Sequence, residues 1–167
     1  MVASVTIKTN TIQLSKSLEQ IQKKFPNAIK QTLANVSALQ IRNIRDRTQR
    51  KGVSLNGSPF RPYSAGYKRA KVKESGVVDL TDTGQMFSAL TSKISQSKGT
   101  LFFRNMFANK KAFFHDQAGA GKGKVIRPFF GINRQEEKQI VKVFTDKISK
   151  IIVWAKEKIL QEILLQF

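Results

Sequence analysis

The sequence predicts one α+β domain, in which an antiparallel sheet of about three to four strands packs against long N- and C-terminal helices and carries extended basic loops. Apolar residues recur at every third or fourth position near both ends of the chain, and they alternate with polar residues near its middle. These are the helical and the strand periods. A chain of 167 residues is long enough to bury its own core without disulfides or metal. We therefore expect a single domain over residues 1–167.

The N-terminal part predicts a short strand and then helices over about residues 12–50. Residues 2–7 alternate polar and apolar side chains, and an amphipathic pattern follows them. Pro26 predicts a break or kink after Phe25, because the proline ring disfavours helical dihedral angles in the preceding residue. A second helix can begin at Pro26 itself. Gly52 predicts the end of the helical region.

Residues 51–80 predict a long basic loop. Glycine and proline residues interrupt it repeatedly, and residues 63–73 could form a helical turn or two. Loops this long are uncommon in compact domains unless they bind something or are disordered. Beyond the loop, Asp82 precedes Gln85 by three residues, which is the spacing of a capping box and predicts a short helix.

Residues 91–131 predict the sheet. The alternating pattern over residues 91–107 indicates a hairpin that turns near Lys98–Gly99, and residues 112–115 could add a third strand. The glycine- and lysine-rich residues 119–124 predict a flexible, cationic loop that acts as a hinge or is disordered. The chain then returns to the core.

Residues 133–165 predict one long C-terminal helix. Asn133 and Glu136 have capping-box spacing at its start. The helix would be about 50 Å long, so we expect one end to pack on a neighbour. Its apolar stripe consists of Ile140, Phe144, Ile148, Ile151, Ala155, Ile159 and Ile163, and further apolar residues, Val141, Val143, Ile152 and Leu164, favour burial on two sides.

Positive charge dominates the composition. The chain has 30 Lys and Arg against 11 Asp and Glu, a net charge of +19, and residues 42–73 carry ten basic residues against the single acid Asp46. Such a segment is either a solvated face or an attractant for polyanions and acidic proteins. The candidate contacts to partners or DNA are Arg50, Lys51, Arg61, Lys68, Arg69, Lys71, Lys73, Lys122 and Lys124.

The sequence does not predict an enzyme. It has no cysteine, which excludes disulfides, thiolate metal sites and cysteine nucleophiles. The only histidine, His115, lacks the sequence context of a catalytic triad, and residues 119–124 lack the P-loop pattern. The acids are scattered, so we expect no metal and no cofactor. The apolar run of residues 151–155 is too short to span a bilayer, so we expect no membrane partner.

A series of short motifs gives the most specific signal. In chain order they contain Gly57, Phe60, Tyr63, Tyr67, Leu80, Gly84, His115, Gly119, Arg127, Pro128, Phe129 and Gly131. From Gly57 to the C-terminal helix this order resembles the virion morphogenesis, or tail completion, family of long-tailed bacteriophages. The sequence departs from the family pattern at Met86, Lys111 and Phe130, and its spacing between His115 and Gly119 is one residue longer.

The resemblance implies a structural subunit and no reaction. It implies a ring of copies, six being the expected number, in the virion at the head–tail junction, after synthesis in the host cytoplasm. Its neighbours there would be the tail terminator or tail tube and the head-connector proteins, with genomic DNA passing through. Residues 127–131 would fix the passage into the last helix. The alternative is a nonspecific nucleic-acid-binding protein that uses the basic segment 42–73.

Overall fold

A computed structural model describes residues 11–71 and 76–164, and the strand expected at residues 2–7 lies outside them. Helix α1 is formed by Thr11–Arg45 and continues into a wider π-helical turn, Asp46–Arg50. The short helices α2, Ala65–Ala70, and α3, Gln85–Ser88, follow. Strands β1, Leu90–Ile94, and β2, Gly99–Phe103, precede helix α4, Met106–Phe113, with its π-helical turn Phe114–Ala118. The last helix is α5, Arg134–Leu164. The α+β class and the long terminal helices are confirmed.

Helix α1 is one helix, so the break expected at Pro26 is wrong. Pro26 removes one backbone hydrogen bond and is exposed. The half-buried side chains Ile21, Phe25 and Ile29 continue an apolar face through this position, and α1 packs against α5. Packing along that face outweighs the local preference of the Phe25–Pro26 pair.

The sheet of the described residues has two strands rather than three or four. The strands pair antiparallel from Leu90 with Phe103 to Ile94 with Gly99, and the expected hairpin is therefore present. Residues 112–115, expected as a third strand, lie in α4 and its π-helical turn. Alanines 108 and 112 are buried one helical turn apart, so the inward face of this segment follows the helical period and not the alternation expected of a strand.

Phe129 lies at the centre of the core and is fully buried. Its ring contacts Phe87 and Phe103 edge to face, at centroid distances of 5.5 and 6.3 Å. The remaining buried core residues come from the end of α1, the loop before α3, α3 to α4 and the hairpin: Ile44, Phe60, Leu80, Met86, Ala89, Leu90, Ala108 and Ala112. None of these core residues belongs to α5.

Helix α5 runs antiparallel to α1. Gln40 contacts Glu136 near one end, and the Lys24 ammonium lies 4.8 Å from the centre of the Trp154 ring toward the other. Residues 15–31 of α1 and 146–164 of α5 therefore form a two-helix extension away from the core, called here the helical arm. Two helices bury only one side of each other, and the expected stripe of α5, from Ile140 to Ile159, is accordingly half-buried.

The helix starts show which capping predictions were correct. At α5, Asn133 Oδ1 accepts from the Glu136 amide at 2.9 Å, and Glu136 Oε2 accepts from the Asn133 amide at 3.0 Å, so the capping box is present. At α3 the residue before the helix is Gly84, with φ of 79° and no side-chain cap, so the capping box expected from Asp82 is wrong. Glycine adopts this left-handed backbone without strain.

Candidate partner interface

A cluster of exposed aromatic and apolar side chains lies on and around α4. Met106 is 64% exposed and Phe107 is 76% exposed. Asn105 starts the helix by accepting a hydrogen bond from the Ala108 amide, and the buried Ala108 and Ala112 hold its other face inward. We call this cluster the α4 patch, and its members are Phe102, Met106, Phe107, Phe113 and Phe114. Clustered exposed apolar side chains mark sites of association.

The helical arm exposes a second set of apolar side chains. On α5, Ile152 and Val153 are about half exposed and Leu164 is more exposed, while Leu18 is exposed on α1. These side chains lie outside the stripe that packs on α1. Of the second apolar side expected for α5, Val141, Ile152 and Leu164 are exposed in a single copy of the chain, and Val143 is half-buried.

A concave groove of about 930 Å³ lies between the loop of residues 54–61 and the start of α5. Exposed Ile126 and Ile132 line it together with Leu55 and Pro128. The Leu55 amide donates to the Pro128 carbonyl at 2.8 Å, which holds the loop against the chain before α5. Gly131 packs closely here, because a Cβ atom on it would lie 2.9 Å from the end of the Leu55 side chain, which would have to move. The groove is therefore built by the closing motif of residues 127–131.

A separate cavity of about 590 Å³ brings together several residues predicted from the sequence, and we call it the tyrosine cavity. Its walls include Arg61, Tyr63, Tyr67, His115, Lys122 and Arg127. The Arg127 amide donates to the His115 carbonyl at 2.7 Å, so the end of α4 and the chain before α5 meet here. The two tyrosine rings contact each other at 4.8 Å.

Residues 119–124 form one rim of the tyrosine cavity as a tight turn, not as the expected flexible loop. Ala120 and Val125 exchange backbone hydrogen bonds of 3.0 and 3.1 Å. Gly119 has φ of 87°, and a Cβ atom on it would lie 2.3 Å from the Lys124 carbonyl oxygen. Only glycine fits this approach. The turn fixes Lys122 and Lys124 at an exposed rim.

Burial dominates the electrostatics of the cavity. Desolvation, followed by the nearby Asp79 carboxylate, raises the pKa of Tyr63, and desolvation also raises the pKa of Tyr67. Desolvation, followed by the charge of Arg127, lowers the pKa of His115. The tyrosines are therefore neutral at pH 7 and the imidazole favours its neutral form.

The structure divides the predicted cationic contacts into two groups. Arg61, Lys68, Arg69, Lys122 and Lys124 are exposed. Arg50 and Lys51 each form an ion pair with the Asp46 carboxylate, at nitrogen–oxygen distances of 3.0 and 3.1 Å. Both basic side chains remain largely exposed. The expectation that Lys71 contacts a partner or DNA is wrong, because its buried ammonium pairs with Asp79 at 2.6 Å and so stabilises the fold. Lys73 lies outside the described residues.

Several family-motif residues serve the fold rather than a surface. Phe60, Leu80 and Phe129 belong to the core, and Gly84 precedes α3. Asp116 Oδ1 accepts from the amides of Phe129 and Phe130, at 2.8 and 2.9 Å, and so fixes the closing motif. Pro128 lines the groove, and Gly57 is exposed with a left-handed φ of 88°.

A second buried ion pair joins Arg47 to Glu136, and the sequence pattern did not predict it. Arg47 Nη1 donates to Glu136 Oε1, and Arg47 Nη2 donates to the Phe129 carbonyl at 2.6 Å. Gln40 Nε2 donates to Glu136 Oε2 at 3.0 Å and to the Gly131 carbonyl at 2.8 Å. Arg47 was assigned to the basic surface by its position in residues 42–73. Arg47 lies three residues after Ile44, on the apolar side of the helix, and this spacing could have indicated that its side chain is buried.

The described residues contain no cluster of three or more His, Asp or Glu side chains that could hold a metal ion. Within residues 11–71 and 76–164, none of the helices is long and apolar enough to cross a bilayer. Searches against protein-family models, curated proteins and solved structures found no match to this chain.

Proposed function

We propose that the chain is a structural neck, or tail completion, protein of a tailed bacteriophage, and that its copies form a closed ring at the junction of head and tail. The α4 patch is the observation that carries this proposal. Five large apolar side chains, four of them phenylalanines, are at least 40% exposed within thirteen residues. Aromatic residues are enriched in the centres of protein interfaces.

A ring of identical copies requires two different surfaces on each copy, because the contact is heterologous and closes by rotation. The exposed α4 patch and the concave groove lined by Leu55, Ile126, Pro128 and Ile132 meet this requirement. We propose that the patch of one copy enters the groove of the next. The helical arm, whose second apolar side is uncovered, would then pack across a neighbour. The motif order of residues 57–131, which resembles the tail completion family, supports the location in the virion.

The substitution Phe107→Asp tests the ring interface. Because the Phe107 side chain is 76% exposed, we expect its loss to change the free energy of unfolding by no more than about 0.5 kcal/mol. We expect it to abolish rings seen by electron microscopy or light scattering, since a charge cannot enter an apolar groove without large cost. Ser97→Asp, which adds the same charge at an exposed position in the turn between β1 and β2, is the matched control. Rings that form equally well from Phe107→Asp would contradict the proposed contact.

The place of the protein in the virion is tested by imaging particles of the encoding phage with this gene deleted. We expect DNA-filled heads beside unattached tails, and rescue by the unchanged chain but not by Phe107→Asp. Infectious particles of normal appearance from the deletion mutant would refute the assignment to the head–tail junction.

Exposed basic side chains favour nonspecific nucleic-acid binding as the second candidate. Lys68 and Arg69 are exposed on α2 and form no ion pair with the described side chains. If the chain binds duplex DNA through them, Lys68→Glu/Arg69→Glu should reduce the slope of log affinity against log salt by about 2. A fluorescence anisotropy titration at several salt concentrations measures this slope. Lys93→Glu/Lys98→Glu, in the hairpin, is the matched control, and equal slopes for the two variants would reject α2 as the DNA contact.

A further inference from the structure

A buried cation without a carboxylate partner lies in the wall of the tyrosine cavity. Arg127 is 5% exposed. Its Nε donates to the Arg61 carbonyl at 3.0 Å and its Nη2 to the Pro62 carbonyl at 3.1 Å. Within the described residues, Nη1 has no hydrogen-bond partner, and no Asp or Glu oxygen lies within 4 Å of the guanidinium.

No negative charge among the described side chains balances the positive charge of Arg127 at close range. A guanidinium keeps its charge in a protein, and burial of a charge is costly unless an opposite charge compensates it. The Tyr63 ring, 5.3 Å from the guanidinium carbon, supplies partial compensation through its π-electrons. Desolvation lowers the pKa of Arg127. An anion that reached Nη1 would remove most of this cost.

His115 adds a second unpartnered group to the same cavity. Its Nδ1 is buried and has no hydrogen-bond partner among the described residues. The cations that line this cavity and the pocket beside it are Arg61, Lys111, Lys122 and Arg127. The Asp79 carboxylate accepts from the Tyr63 hydroxyl at 3.2 Å and is already paired with Lys71. Asp82 lies in the adjoining pocket, and the Oδ1 atom of neighbouring Asp116 already accepts from two backbone amides.

We propose that the tyrosine cavity binds an acidic peptide segment of a partner protein, with one Asp or Glu carboxylate at Arg127 and an adjacent apolar side chain against Tyr67. The cavity of about 590 Å³ has room for two side chains of a peptide. Val125 and Pro62 add apolar surface beside the cations. The inference goes beyond ring formation, because a single copy contains the whole cavity.

A protein carboxylate fits better than a nucleic-acid phosphate. The buried Arg127 lies behind the exposed cations at the rim, whereas nucleic-acid backbones are bound by cations that reach out from a surface. The Tyr63 and Tyr67 rings contact each other at a centroid distance of 4.8 Å with a tilt of 56°, so a base could not insert between them.

The test uses the full chain and the peptide acetyl-Glu-Phe-amide. His115 is the only histidine, so its ring protons give an isolated NMR signal beside the site. We expect the peptide to shift this signal saturably at roughly millimolar concentration and to raise the pKa of His115, because a bound carboxylate offsets the charge of Arg127. Acetyl-Gln-Phe-amide, which lacks the charge, should bind at least about tenfold more weakly.

Two variants locate the binding. Arg127→Gln should weaken binding of the acidic peptide at least about tenfold, provided that the circular dichroism spectrum of the variant remains native. Lys122→Gln changes only an exposed rim cation and should weaken it about two- to fivefold, whereas Lys93→Gln, in the hairpin, should have no effect. Equal binding of the acidic and neutral peptides, or equal effects of Lys122→Gln and Lys93→Gln, would overturn the proposal. Tighter binding of single-stranded oligothymidylate or of inorganic phosphate at His115 would overturn it in favour of a phosphate site.

Discussion

Glu136→Gln is expected to lower the free energy of unfolding by about 3–5 kcal/mol, because it leaves the buried Arg47 guanidinium without a counter-charge. The two Glu136 oxygens accept from three donors, on Arg47, Gln40 and Asn133. Glutamine offers a single oxygen, and its amide group would face at least one of these donors. Denaturant unfolding followed by circular dichroism measures the loss.

Glu19→Gln is the matched control for this prediction. Glu19 pairs with Lys23 at 2.8 Å on the exposed surface of α1, where water screens the pair, so its loss should cost less than about 1 kcal/mol. The double variant Arg47→Met/Glu136→Leu removes both buried charges and should be more stable than Glu136→Gln alone. If Glu136→Gln and Glu19→Gln cost the same, the buried pair does not hold α1, the closing motif and α5 together as described.

Phe129→Ala is expected to cost about 3–5 kcal/mol, because it opens a cavity where three other phenylalanine rings now pack. For a chain of this length the loss corresponds to a decrease in Tm of roughly 6–20 °C. Differential scanning calorimetry measures it.

Phe107→Ala provides the comparison at the opposite extreme of exposure. The same atoms are removed, but from a side chain that is 76% exposed, so stability should change by no more than about 0.5 kcal/mol. Its expected effect is on ring assembly. A loss of several kcal/mol from Phe107→Ala would show that the α4 patch is covered within a single chain, and the interface proposal would fail.

The helical part of the fold could be predicted where a long periodic pattern and a local cap agree. Asn133 and Glu136 form the expected box, and the helix that follows occupies the described residues from Arg134 to Leu164. The errors arose where a short pattern was ambiguous. Residues 112–115 were expected to form a strand, but Ala108 and Ala112 share a helical face that packs into the core, and this contact decided the outcome.

The sequence could predict which residues belong to the candidate interface, but not how they are arranged in space. The sequence indicated Tyr63, Tyr67, His115 and Arg127, and the structure places all four around one cavity. A net charge cannot distinguish a free surface cation from a paired one. Arg47 and Lys71 lie in the same basic segment as Lys68, yet both are buried in ion pairs with acids outside that segment. The exposure of the α4 patch could not be predicted, because it depends on residues 106–113 forming a helix.

The pairing of the first helix with the last has a consequence for synthesis. Lys24 contacts Trp154, so the ribosome must add about 130 further residues after the α1 side of this contact before its partner exists. At about 5–20 residues per second, the apolar side of α1 remains without its native cover for roughly 6–26 s. The arm therefore cannot form until α5 has been made, and the uncovered apolar side of α1 exposes the nascent chain to aggregation during this interval.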